Sequence, residues 1–209
     1  MRIILFGASG KIGRLVAELA LERNYEVTAI VHNRTLDLKH QNLNIIKADI
    51  YNKTQLANIL KNNAIIISTL SSWHTKQKDI LSTAMKNIIP VAETNNITRL
   101  ISLTGADARA AGDSLSFIHK LSHLGINLTN KKIMSDSESH LKLLEKSKLN
   151  WTVIRSPIMN NSGKAENFKL SLNRPLPWQT ISRSSVALSM IDQIDDKKYI
   201  NKAPYISRN

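Results

Sequence analysis

The first 23 residues constrain this chain more than any other stretch. Arg2-Ile3-Ile4-Leu5-Phe6 is a short apolar run of the kind that forms a strand covered on both faces. Arg14 to Arg23 follows, with Leu15, Val16, Leu19 and Ala20 at helical spacing. Between them lies Gly7-Ala8-Ser9-Gly10-Lys11-Ile12-Gly13, which puts its glycines at a strand-to-helix junction. Gly7 permits a tight turn after the strand, and Gly10 lets the backbone approach a pyrophosphate. Gly13 lets the helix pack on the sheet while its N-terminus faces the anion. Residues 7 to 13 are therefore candidate dinucleotide-binding residues.

The rest of the chain continues the alternation. Tyr25 to Val31 reads as a second strand ending at His32-Asn33-Arg34. At this position an acid bonds a ribose 2′-hydroxyl, whereas an arginine accommodates a 2′-phosphate. No acid appears before Asp37, so Arg34 with His32 points to NADPH over NADH; the alternative is that Arg34 is a solvated loop charge. Leu43 to Ala48 gives a third strand, and Ala64 to Thr69 a fourth, which ends in Thr69-Leu70-Ser71-Ser72. Ligands of doubly wound sheets lie over such strand ends, where small hydroxyl residues let a ribose approach. Trp73 and His74 follow on the same loop and either border a substrate pocket or, for Trp73, cap the core.

A helix is expected over Lys76 to Lys86, with Pro90 marking a kink or restart. Arg99 to Thr104 and Lys148 to Pro157 supply the fifth and sixth strands. This pattern predicts an α/β, Rossmann-like doubly wound parallel sheet in the order 3-2-1-4-5-6, as one domain over residues 1–209. Residues 158–180, with Pro175, Pro177 and Trp178, suit a short substrate-covering insertion.

Composition removes several function classes. The absence of cysteine excludes disulfides, thiolate catalysis and thiolate metal sites. The six histidines show no metalloprotease spacing, and His119 and His123, four apart, are expected on a polar helix surface without a metal. No apolar stretch approaches the ~20 residues of a membrane span, so a cytoplasmic protein without a signal peptide is expected. The net charge of +13 would speed the approach of any polyanion. The lysines are nevertheless dispersed, and the chain holds 3 Phe, so a solvated surface is expected rather than specific nucleic-acid binding.

The GxxGxxG spacing is the variant used by short-chain dehydrogenase/reductases. GASGKIG resembles their atypical branch, the single-domain NAD(P)H-binding proteins related to NmrA and to biliverdin/flavin reductase. Lys148 to Pro157 resembles that branch's "gLdWTivRp" pattern, Ile181 to Ala187 its "IsRaDvA" segment, and Ala203 to Ser207 its terminal strand. The resemblance implies that Asp49 contacts the adenine amino group and Ile50 packs on the ring; by itself Asp49 reads as a turn or helix-cap residue. It further implies that Pro157 lies near the nicotinamide amide, and that Thr104 is the nearest counterpart of a carbonyl-polarising serine.

Orthodox members carry a Tyr-x-x-x-Lys pair on the following helix, where lysine lowers the phenol pKa. Here tyrosines stand only at 25, 51, 199 and 205, and none falls in the corresponding segment, Asn130 to Glu145. Asp136 in that segment either resembles a polar position of the flavin-reductase-like branch or is a first-turn helix acid. The expectation is an NADPH-dependent reductase of a small-molecule flavin, quinone or related conjugated acceptor, with Thr104, Asp136 and Ser71 orienting the acceptor or relaying water. The alternative is a non-catalytic NADP(H)-binding regulator of the NmrA type.

Overall fold

Ile3, Ile4, Leu5 and Phe6 are each fully buried, because β1 (Arg2–Phe6) runs through the middle of the sheet with helices on both sides. The structure is a computed structural model that describes residues 1–61, 64–73, 75–114, 116–165 and 167–209. After β1 come α1 (Lys11–Glu22), β2 (Glu26–Val31), β3 (Leu43–Lys47), α2 (Lys53–Ile59), β4 (Ala64–Ser68), α3 (Ile80–Thr94) and β5 (Arg99–Gly105). The second half holds α4 (Phe117–Glu145), β6 (Asn150–Ser156), β7 (Ile158–Asn160), β8 (Phe168–Ser171), β9 (Thr180–Ser182), α5 (Arg183–Asp192) and β10 (Tyr205–Arg208).

Among the described residues the main sheet has the order β3-β2-β1-β4-β5-β6-β10-β8. Its first six strands are parallel and follow the predicted order. β10 extends it parallel to β6, and β8 closes the edge antiparallel to β10. Alternate residues of the strands feed two cores. Ile3, Leu5, Ile67 and Ile101 meet Val16, Ala20 and Met190 of α1 and α5. Ile4, Phe6, Ile66 and Leu100 meet Leu56, Met85, Ile88 and Leu141 of α2, α3 and α4. At about 1.5–3 kcal/mol for each fully buried large aliphatic or aromatic side chain, these layers fix the register of every central strand.

Two helices differ from the expectation. The helix placed at Lys76 to Lys86 instead runs unbroken from Ile80 to Thr94, with Pro90 inside it. A mid-helix proline costs about 3 kcal/mol, and the burial of Met85, Ile88, Ile89 and Ala92 around it outweighs that. The segment expected at Asn130 to Glu145 is the second half of α4, which starts at Phe117 and bends at Asn130 (φ −134°, ψ 37°). In the first half Phe117, Leu124 and Leu128 are exposed.

His119 and His123 are not a polar helix surface. His119 is buried, hydrogen-bonded to Ser116 Oγ and to the Pro175 carbonyl, and His123 Nδ1 bonds the Asp107 carbonyl with Glu138 3.9 Å from its Nε2. Among the described residues no cluster fit for a metal ion forms, and no helix is long and apolar enough to cross a membrane.

The far end of the sheet hangs on Arg155. Its guanidinium is 1% exposed, pairs in bidentate fashion with Asp113, stacks 3.7 Å from the Tyr205 ring centroid and donates to the Ala203 and Ala108 carbonyls. This ties the segment after β5 to β6 and β10. Removing one partner of such a pair leaves a buried charge uncompensated. Asp113→Ala is accordingly expected to lower unfolding free energy by about 3–5 kcal/mol in urea titrations. Glu18→Ala, which breaks the surface pair with Arg14, should cost less than about 1 kcal/mol. Equal losses would show that the Arg155 network is not what anchors this edge.

Candidate cofactor and acceptor site

The turn after β1 is held from both sides. Gly7 adopts φ +79°, a region that L side chains rarely enter, and a Cβ there would stand 2.9 Å from the Thr69 carbonyl carbon. Thr69 closes the turn by donating its hydroxyl to the Phe6 and Gly7 carbonyls, at 3.0 and 3.2 Å. A Cβ on Gly13 would lie 2.2 Å from the Gly7 oxygen, so only glycine lets α1 leave the sheet at this angle. Gly10 differs. Its backbone is extended, its N–H donates to the Gly7 carbonyl at 3.0 Å, and an added Cβ would meet only that carbonyl, at 3.2 Å. A larger side chain there would fill the cradle rather than collide with the core.

Gly10 caps α1 without a side chain, and the first turn carries no acid. By contrast Asn52 caps α2 and Ser182 caps α5 with their side-chain oxygens. The N–H groups that open α1, around Lys11, Ile12 and Gly13, are therefore left for an external anion, aided by the helix dipole. Ala8 is buried beneath the turn, while Ser9 is half-buried and Lys11 exposed at its rim. These residues fit the pyrophosphate of a dinucleotide.

Towards the edge of the sheet, His32 and Arg34 lie exposed in the loop that follows β2. His32 Nε2 stands 3.8 Å from Asp49 Oδ2, and among the described residues no carboxylate lies within 4.0 Å of Arg34. Asp49 holds a turn: its Oδ1 accepts from the Tyr51 N–H and its N–H donates to Gln55 Oε1. Ile50 packs on the α2–α3 core, and its carbonyl accepts from Asn87. The turn role of Asp49 leaves Oδ2 facing His32.

At the ends of β4 and β5 the hydroxyls divide by role. Leu70 is half-buried against the core, and Ser71 is exposed with its Oγ accepting from the Trp73 N–H. His74 lies outside the described residues. Ser72 is buried, donates to Asp136 and accepts from the Ile80 N–H at 3.2 Å. Asp136 also accepts from the Leu81 and Ser82 N–H groups, at 3.0 and 2.8 Å. It is thus the cap of α3, supplied from another helix, and lies well past the start of its own; the first-turn alternative does not hold. Thr104 is 6% exposed with its Oγ1 unpaired among the described residues, and Pro157 is half-buried beyond β6.

His140 was not singled out by the sequence. It stands four residues after Asp136, the spacing of a Tyr-x-x-x-Lys pair, and that spacing was the available signal. It is fully buried and shares a 2.8 Å hydrogen bond with Ser102 Oγ. Burial pushes its pKa down to about 4, against the opposing pull of Asp136. The tyrosines near these elements are poor proton carriers: burial, then a hydrogen bond to Asp79, raises Tyr51 to about 12, and burial raises Tyr205 to about 12 against the lowering effect of Arg155.

An open parallel sheet whose first crossover carries a glycine-led, uncapped helix defines a Rossmann-like NAD(P)-binding domain. The chain belongs to the NAD(P)H-binding family, which matches residues 7–197. Among curated proteins none matches. Among solved structures, the chain is similar to ChuY of Escherichia coli O157:H7, described as an anaerobillin reductase (21% identity, TM-score 0.76, 100% of this chain and 97% of that one). It is also similar to a short-chain dehydrogenase/reductase of Veillonella parvula in complex with NADP (17%, 0.76, 99% and 94%). A third is the oxidoreductase ylbE of Lactococcus lactis (14%, 0.80, 100% and 91%). At these identities the likeness is one of fold.

His140 makes stability depend on pH. Its folded pKa lies below the unfolded value near 6.5, so between the two the unfolded chain binds the extra proton and stability falls as pH falls. From pH 7.5 to pH 5 this group alone is expected to remove about 2 kcal/mol. Chemical denaturation across that range should show the loss in the wild type and a flatter profile in His140→Gln; parallel profiles would contradict the assignment.

Proposed function

We propose that the protein is an NADPH-dependent reductase of a flavin, quinone or related conjugated acceptor. One observation supports this chemistry over alcohol oxidation: where α4 passes the ends of β4 and β5, it presents Asp136 and His140, both already bonded, and no tyrosine. Alcohol oxidation needs a base for the hydroxyl proton, a role worth about 10²–10⁴-fold. A conjugated acceptor takes a hydride into an electron-poor ring and a proton from solvent.

In this reading Gly7 to Gly13 hold the pyrophosphate, Arg34 and His32 the 2′-phosphate, Asp49 and Ile50 the adenine, and Pro157 borders the nicotinamide, whose bound form supplies the hydride. Thr69 and Leu70 shape the floor by fixing the glycine turn. Exposed Ser71 and unpaired Thr104 orient the acceptor or relay water, while Asp136 holds the Ser72 loop in place. Residues 158–180 cover the acceptor as part of a single domain. The ion pair of Arg174 with Asp107 and the bond from His119 to the Pro175 carbonyl latch them to the turn after β5 and to the start of α4. The commitment of Asp136 to a helix cap also favours a second reading, a non-catalytic NADP(H)-responsive regulator.

Stopped assays with a panel of flavins and quinones separate the two. The reductase reading expects NADPH oxidation that requires an added acceptor, is absent with secondary alcohols and NADP⁺, and falls by less than about tenfold in Thr104→Ala. Tight NADPH binding without turnover on any acceptor would select the regulator. NADPH should bind about ten- to a hundredfold more tightly than NADH, and Arg34→Glu should erase that difference, because a charge-assisted phosphate contact is worth roughly 1.5–3 kcal/mol. Equal wild-type affinities would remove Arg34 from the site.

A further inference from the structure

The first half of α4 turns an apolar side outward. Leu124 and Leu128 follow Phe117 by seven and eleven residues, so at about 3.6 residues per turn the three fall within about 40° of one another. They are 83% (Phe117), 54% (Leu124) and 78% (Leu128) exposed. The opposite side carries His119 and His123, which face the body of the protein through their bonds to the Pro175 and Asp107 carbonyls. A helix that folds onto a core does the reverse, burying its apolar stripe and leaving its polar side to water. Single exposed apolar residues are ordinary, but an aligned row of them marks a surface that something covers.

The charge around the stripe is of one sign. Residues 117–135 contain Lys120, Lys131 and Lys132 and no Asp or Glu. All three lysines are exposed, and among the described residues no carboxylate lies within 4.0 Å of their ammonium groups. The two acids beside His123, Asp107 and Glu138, are already paired with Arg174 and Arg109. The chain as a whole carries +13, so long-range attraction to an anionic surface adds to the local one.

A second copy of the chain fits this face poorly. Two-fold pairing would set the patch against itself, and lysines would meet lysines with no carboxylate of this segment between them. The stripe is also one helix wide and about three turns long, well short of the roughly 800 Å² per partner that a stable interface buries. An anionic bilayer suits both features. It takes in an apolar helix face without needing a matching contour, and its headgroups neutralise the lysines. The bend at Asn130 sets where contact ends, since beyond it Ile133 and Met134 are buried in the body of the protein. Among the described residues no helix is long and apolar enough to cross a membrane, so this one would lie along the surface.

We propose that residues 117–132 form a docking surface for anionic lipid membranes. Phe117, Leu124 and Leu128 enter the boundary between headgroups and acyl chains, and Lys120, Lys131 and Lys132 bind lipid phosphates. The proposal is independent of the reductase reading.

Flotation with vesicles of phosphatidylcholine alone, and of an equimolar mixture of phosphatidylcholine and phosphatidylglycerol, tests the charge requirement. The wild type is expected to bind the anionic vesicles at least about tenfold more tightly than the neutral ones. Lys131→Gln/Lys132→Gln should weaken that binding by about fivefold per lysine, whereas Lys197→Gln/Lys198→Gln, an equal charge change elsewhere, should leave it near the wild-type value. Leu124→Gln/Leu128→Gln should weaken it by about tenfold or more, and Ile45→Gln, on the β3 edge of the sheet, should not. Because the chain lacks cysteine, Leu128→Cys and Ile45→Cys each accept a single environment-sensitive fluorophore. The label at position 128 should brighten on anionic vesicles while that at position 45 stays constant, with circular dichroism checking that each variant keeps the wild-type fold. Equal binding to both vesicle types, no binding to either, or the same losses in test and control variants would overturn the proposal. Sedimentation velocity on the free protein supplies the competing outcome: a dimer that dissociates in Leu124→Gln/Leu128→Gln would assign the face to a second copy instead.

Discussion

Gly13 sits against the Gly7 carbonyl so closely that a methyl group there would stand 2.2 Å from its oxygen. This one contact sets how α1 leaves the sheet, and the rest of the site inherits the geometry. It brings the helix N-terminus over the end of β1, beside β2 on one flank and β4 on the other. Thr69 then locks the same turn from the β4 side through two hydrogen bonds. A side chain that capped α1, as Asn52 and Ser182 cap their helices, would satisfy the free N–H groups from within. Leaving that position to Gly10 costs helix stability and keeps the positive end of the dipole open to an anion.

A second helix terminus is treated in the opposite way. The start of α3 is sealed by Asp136, which reaches across from α4 and also holds Ser72. In this chain the helix that would carry a proton-relaying tyrosine is instead a structural brace for the loop at the end of β4. Deeper along the same helix, His140 binds Ser102 beneath the strand ends and stays neutral because it is buried. The residues nearest the expected acceptor position are therefore positioned firmly but offer little acid–base chemistry. That suits a reaction in which the cofactor and solvent supply the hydride and proton.

Much of this was legible in the sequence. The glycine turn and the order of the six parallel strands could be read because each central strand is a contiguous apolar run, and because the turn signals lie between runs of opposite periodicity. Asp136 could not be placed: its partners are the N–H groups of residues 81 and 82, and nothing local to it encodes a contact across that separation. In the first half of α4, Phe117, Leu124 and Leu128 are exposed, so burial in the core is not what orders those side chains. Pro90 does not restart the helix, because the packing of α3 carries it through the proline. β8 joins the sheet antiparallel, through β10 alone, a pairing that strand periodicity does not specify.

The central claim is that the open N-terminus of α1 is the pyrophosphate site. Calorimetric titration of NADPH into the wild type and Gly10→Val, with circular dichroism and unfolding followed on the same samples, tests it most directly. Because a Cβ on Gly10 meets little besides the Gly7 carbonyl, the variant should keep the wild-type spectrum and a cooperative transition while losing measurable NADPH binding. A folded Gly10→Val protein that binds NADPH with wild-type affinity would show that the glycine turn is only a bend in the chain and that the cofactor lies elsewhere.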